Sequence, residues 1–116
     1  METIKAVIVR PGEAPEIADI PATLESYQGI VGGYIECLSP FKDPVTLVCN
    51  EEGKITNLPP NRVLTTPRGR VYDVVAGTFF IVGVGDEDFT SLSDELAEKY
   101  VKRFEAPEFS IICDKF

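Results

Sequence analysis

The sequence predicts an α+β fold: a mostly antiparallel, curved sheet with one long C-terminal helix and one shorter N-terminal helix packed on it. Three observations predict it. Short β-branched runs punctuated by glycine, proline and asparagine recur from the start of the chain to Val84. Leu24, Tyr27 and Val31 share one face at helical spacing, and Leu92, Leu96, Tyr100 and Phe104 repeat the pattern at steps of four. At 116 residues the chain fits one domain, 1–116, because single cores usually occupy roughly 100–200 residues.

Each element has its own signal. Residues 4–10 form a strand by β-branched content, and the Pro-Gly-Glu-Ala-Pro stretch at 11–15 turns the chain back into a short strand over 16–20. Thr23 caps the first helix, and Gly32-Gly33 ends it by supplying positive φ after Val31. Strands follow over 34–38 and 45–49, joined by a proline-bounded loop at 39–44. Gly53 occupies the left-handed position of a turn over 50–53, and Lys54-Ile55-Thr56 reads as a brief strand. Leu58-Pro59-Pro60-Asn61-Arg62 reads as irregular, since its prolines fix φ and remove donors. Arg68-Gly69-Arg70 is a turn. The apolar run 71–84, broken by Gly77-Thr78, gives two short strands or one bent strand. The C-terminal helix lies within 86–104, after a Thr-Ser cap region, with Asp94 and Glu95 early and Lys99, Lys102 and Arg103 late to match its dipole. Pro107 stops it, and 109–113 reads as a last strand or a tail packed on a neighbour.

Composition removes several functions. The chain has no histidine, so Ser-His-Asp and Cys-His arrangements are excluded. Its three cysteines, Cys37, Cys49 and Cys113, lack zinc-finger spacing and read as small buried hydrophobes. Asp86-Glu87-Asp88 lacks the glycine and glutamate that an EF-hand loop requires, and reads as a solvated acidic turn. Gly83-Val84-Gly85 lacks the partners of a phosphate loop. No metal and no cofactor is expected. No apolar run approaches the ~20 residues of a membrane span, and no signal-peptide pattern opens the chain, so the cytoplasm is the expected location. A net charge of −8 argues against direct nucleic-acid binding.

That charge is uneven. Residues 53–72 hold four basic residues, Lys54, Arg62, Arg68 and Arg70, and no acidic one. A proline-stiffened segment there would present Asn61 and Arg62 with little ordering entropy left to lose on binding. The guanidinium fork suits phosphate or carboxylate, and the carboxamide both donates and accepts. The expected ligand-binding set is therefore Asn61, Arg62, Asp73, Thr78, Arg68 and Arg70, with no catalytic residue assigned. The competing reading has Asn61 and Arg62 only tying down a loop, Arg62 bridging Asp73.

Four stretches carry a family likeness. They are Leu24-Glu25-x-x-Gln28-x-Ile30-Val31-Gly32-Gly33-Tyr34-Ile35-Glu36, Cys49-Asn50-Glu51-Glu52-Gly53-Lys54, Leu58-Pro59-x-Asn61-Arg62 and Asp73-x-x-x-Gly77-Thr78-Phe79-Phe80-Ile81-Val82-Gly83. Together they resemble the uncharacterised family DUF3846, small proteins of bacteria, phages and mobile elements. The resemblance implies a genomic habitat and no activity; a phage-encoded member would work in the host-cell cytoplasm.

Three functions follow as expectations. The first is a non-catalytic binding module that interferes with a host process, as an anti-defence protein does, by sequestering a small anionic ligand or blocking a host protein. The second is an acidic interaction protein imitating nucleic-acid charge through Glu87, Asp88, Asp94, Glu95, Glu98 and Glu105. The third is a small enzyme using Asp73 or a thiol such as Cys49. A sheet of short strands leaves edges and apolar surface exposed, which favours a homodimer.

Overall fold

In the computed structural model, residues 2–107 are described. The expected strand or tail over 109–113, with Cys113, lies outside them. Ten elements follow in order: β1 (Thr3–Val9), β2 (Glu16–Pro21), α1 (Leu24–Val31), β3 (Ile35–Leu38), β4 (Val45–Asn50), β5 (Pro60–Thr65), β6 (Val71–Ala76), β7 (Phe79–Val84), β8 (Phe89–Thr90) and α2 (Asp94–Arg103). The fold is α+β, and every strand pairing among the described residues is antiparallel.

The main sheet runs β2-β1-β7-β4-β3. Gly83 pairs with Val45 of β4 on one side and Thr90 of β8 on the other, so β8 extends the side of β7 that β1 occupies further down. The central strands β1, β4 and β7 are apolar at nearly every position because both faces are covered. Val7, Val9, Leu47, Phe79 and Ile81 point to one side, where Ala97 and Tyr100 of α2 and its C-cap Phe104 meet them. Ala6, Ile8, Val48, Phe80 and Val82 point to the other, against Tyr27 and Val31 of α1. The two helices thus sit on opposite faces. A two-stranded hairpin, β5–β6, joins the α2 layer by burying Leu64 and Val75 in the same cluster.

The C-terminal helix lies within 86–104 as expected but is only ten residues long, because Phe89–Thr90 pair with β7 and Ser93 is the N-cap, accepting from the Leu96 N–H. Three expectations are corrected. Lys54-Ile55-Thr56 is a run of turns: the Thr56 amide donates to Glu52 O, the Leu58 amide to Gly53 O, and Ile55 is 82% exposed. The positive φ of that stretch belongs to Asn57 and not to Gly53. Finally, Pro60-Asn61-Arg62 begins β5 and is not irregular. Proline is tolerated as the first residue of an edge strand, and both strands of a two-stranded sheet are edges.

The loop between β3 and β4 is clamped on α2. Asp43 accepts from Lys99 Nζ at 2.7 Å and Tyr100 Oη at 2.6 Å, while Phe41 packs on the Tyr100 ring at 4.7 Å. These donors hold the Asp43 carboxyl below the usual carboxylate range. A depressed carboxylate contributes stability that is present above its unfolded pKa, about 3.9, and lost as pH falls through the folded value. Asp43→Asn is therefore expected to shrink the drop in urea midpoint between about pH 6 and about pH 3. An undiminished drop in this variant would show that the clamp contributes nothing to the acid limb.

Candidate functional site

Asn61 and Arg62 are both fully buried. Successive strand residues normally face opposite ways, but the β5–β6 register shifts between Pro60 and Arg62, and a bulge of this kind re-aims a side chain. Asn61 Nδ2 donates to Val9 O and to Gly77 O, both at 2.9 Å. Its Oδ1 accepts from Arg62 Nη1 at 2.8 Å. The Arg62 fork grips Phe104 O through Nε at 3.1 Å and Nη2 at 2.8 Å, and Nη2 also reaches Glu13 O at 2.7 Å. The pair thus ties the end of β1, the β6–β7 turn, the β1–β2 turn and the C-cap of α2 together. The expectation that the proline segment presents these groups outward is corrected: the guanidinium is spent on the protein's own oxygens. The bridge from Arg62 to Asp73 is also replaced, since Asp73 pairs with Lys54.

Asp73 lies in a cleft of about 340 Å³ with Glu36, Cys49 and Lys54. Lys54 donates to Asp73 Oδ1, and this bond, aided by the Val74 amide, holds the carboxyl below its ordinary range. Burial, then the neighbouring Glu36 carboxylate, pushes the Cys49 thiol up to about 12. At neutral pH that sulfur is a thiol, not a nucleophilic thiolate. Asp73, already a well-stabilised carboxylate, is a weak proton acceptor. Sequence reasoning missed this cleft because its walls come from β3, β4 and β6, and the only trace in the sequence is an isolated opposite-charge pair nineteen residues apart.

Across the 50–57 turn lies a second, larger cleft of about 650 Å³, lined by Gln28, Gly33, Tyr34, Asn50, Glu52 and Thr56 among others. Asn50 organises it, donating through Nδ2 to Val31 O at the end of α1 and accepting through Oδ1 from the Glu52 amide. Thr78 is half-buried in the β6–β7 connection and joins neither cleft.

Arg68 and Arg70 stand apart from the other four. They are exposed at the tip of the β5–β6 hairpin, beside an open hollow of about 540 Å³ shared with Thr66 and Pro67. The Gly69 amide donates to Thr66 O, the Thr66 amide to Arg70 O, and the Arg70 amide to Thr66 Oγ1. Pro67 fixes φ on one side of the turn, and Gly69 takes φ +83° on the other, a value favouring glycine. Among the described residues, the ion pairs engage Lys5, Arg10, Lys54 and Lys99, and neither Arg68 nor Arg70. The cationic stretch read from the sequence is therefore divided: one charge buried, one paired, two presented.

No helix among the described residues is long and apolar enough to cross a membrane. No curated protein and no solved structure matches the chain. A family model does, over residues 4–105. That match covers most of the chain, including all four stretches singled out in the sequence, and the chain belongs to the family described as Domain of unknown function (DUF3846).

Proposed function

We propose that the protein is a non-catalytic binding module whose recognition element is the tip of the β5–β6 hairpin, which takes a carboxylate- or phosphate-bearing group of a small ligand or of a host protein. The carrying observation is the pair Arg68 and Arg70, exposed on a turn closed by three hydrogen bonds and left without a carboxylate partner among the described residues. A guanidinium pair on a stiff turn loses little backbone entropy when it binds. The quenched chemistry of Cys49 and Asp73 supports a role without turnover. The likeness to small proteins of bacteria, phages and mobile elements supports a host-directed, anti-defence setting in the cytoplasm.

The acidic-mimic reading keeps part of its surface and loses part. Glu87 and Asp88 are exposed, but Asp94 is engaged by Lys5. The hairpin reading is tested by titrating tripolyphosphate into isotope-labelled protein and following amide shifts. Shifts centred on residues 66–70, with binding about tenfold weaker in the R68A/R70A variant, are expected from the loss of two charge-assisted contacts. A tip that stays silent while other amides move would remove it from the function.

A further inference from the structure

A groove of about 480 Å³ opens on the α1 side of the molecule. Leu24 and Tyr27 of α1, Ile35 of β3, and Val84 and Phe89 at the β7–β8 turn form its apolar floor and walls. Leu24 and Val84 are 56% and 49% exposed, unusual for such side chains beside a packed aromatic cluster. The rim is Asp86, Glu87 and Asp88, all exposed, and no lysine or arginine lines the groove. The Gly85 amide donates to Asp88 O at 2.9 Å and closes the turn that carries the three carboxylates. An occupant must bring apolar groups for the floor and cations for the rim.

The chain itself carries that combination. Directly after Arg68 and Arg70 in the hairpin come Val71 and Tyr72, each 53% exposed. Two guanidinium groups and two large side chains thus share one hairpin end, matching three carboxylates around an apolar floor. Within one chain no ion pair among the described residues joins the two surfaces. We propose that the groove receives the β5–β6 hairpin tip of a second copy of this chain; this rests on the hairpin-tip reading and names its partner. Groove and tip are different patches, so a two-fold pair makes the contact twice, each copy giving its hairpin and receiving the other. Bidentate arginine–carboxylate contacts set the register, and burial of Tyr72 and Val71 against Leu24, Val84 and Phe89 supplies the attraction.

Charge reversal tests it. Sedimentation velocity at about 100 µM and low salt is expected to show a dimer of the full chain, a transient-interface affinity. R68E/R70E and D86K/D88K, which alter exposed side chains only, should each weaken self-association about 100-fold, because each then faces like with like. Mixed in equal amounts, the two variants are complementary at both contacts and should pair as well as wild type. That rescue also excludes misfolding of either variant. A wild type that stays monomeric, variants that pair unchanged, or a mixture that stays apart would each overturn the proposal. Tripolyphosphate titration of D86K/D88K separates the two readings. Shifts at 66–70 with no wild-type pairing would sink the second copy as partner and keep the tip; a silent tip would sink both.

Discussion

Arg62→Ala is expected to destabilise the protein by about 4 kcal/mol, the scale reached when a buried polar network loses one partner. The truncation leaves Phe104 O, Glu13 O and Asn61 Oδ1 without the N–H groups that now reach them. The bonds to Phe104 O and Asn61 Oδ1 are buried, and each unsatisfied buried acceptor costs roughly 1–3 kcal/mol. The bond to Glu13 O is only part-buried, so water can replace it, and the vacated volume of the stem adds a packing loss. Water entering the vacated space would return part of this, which keeps the expectation below the plain sum. Chemical denaturation measures it directly. Arg62→Lys is expected to recover less than half, since one ammonium cannot reproduce a fork whose Nε and Nη2 converge on a single carbonyl. By contrast Arg68→Ala, at an exposed turn, should move stability by no more than about 0.5 kcal/mol. If Arg62→Ala folded with wild-type stability, the guanidinium would not be the tie between the β1–β2 turn, β5 and the C-cap of α2 that its contacts describe.

The same arginine shows where the sequence was legible and where it was not. Residue type marked Asn61 and Arg62 as a polar pair in a stiff segment, and they are a hydrogen-bonded pair. Their direction was hidden, because it depends on a register shift in β5 and on a carbonyl 42 residues away at the end of α2. Nothing local encodes either. Prolines at 59 and 60 read as breakers, a rule that holds for central strands and fails at the first residue of an edge strand. β1, β4 and β7 were legible since strands covered on both faces must be apolar throughout. The stripe of α2 was read correctly and its length was not: Leu92 packs in the core from outside the helix, so it continues the pattern without continuing the helix. Ile55-Thr56 looked like a strand by β-branching, but no neighbour offers a ladder there, and local turn bonds take the backbone instead. For the hairpin tip, Pro67 and Gly69 announced the turn, and the charges of Arg68 and Arg70 needed only exposure to become a candidate site.

Gly83→Val is expected to cost about 3 kcal/mol, at the upper end of what overpacking imposes. Intrinsic propensity argues the other way, since valine suits a strand better than glycine by up to about 1 kcal/mol. The deciding term is space. A Cβ at position 83 would sit 2.5 Å from Thr90 Oγ1, 3.0 Å from Ser91 O and 3.2 Å from Thr90 O. The hydroxyl can rotate away, but the two carbonyls belong to backbone held at β8, where the Leu92 amide donates to Lys5 O and the Lys5 amide to Ser91 Oγ. Relief therefore requires β8 to leave β7 or β7 to bend away from β4 at Val45. Displacing β8 would pull Phe89 from its 5.0 Å contact with the Tyr27 ring and open the wall of the acidic groove. Denaturation should show the lost stability, and amide exchange should show protection lost first at Thr90 and Leu92. Weaker self-association should accompany it if the groove receives a second copy. A Gly83→Val protein as stable as wild type, with Thr90 still protected, would mean that β8 yields without cost and that the close approach of β8 to β7 does not constrain the fold.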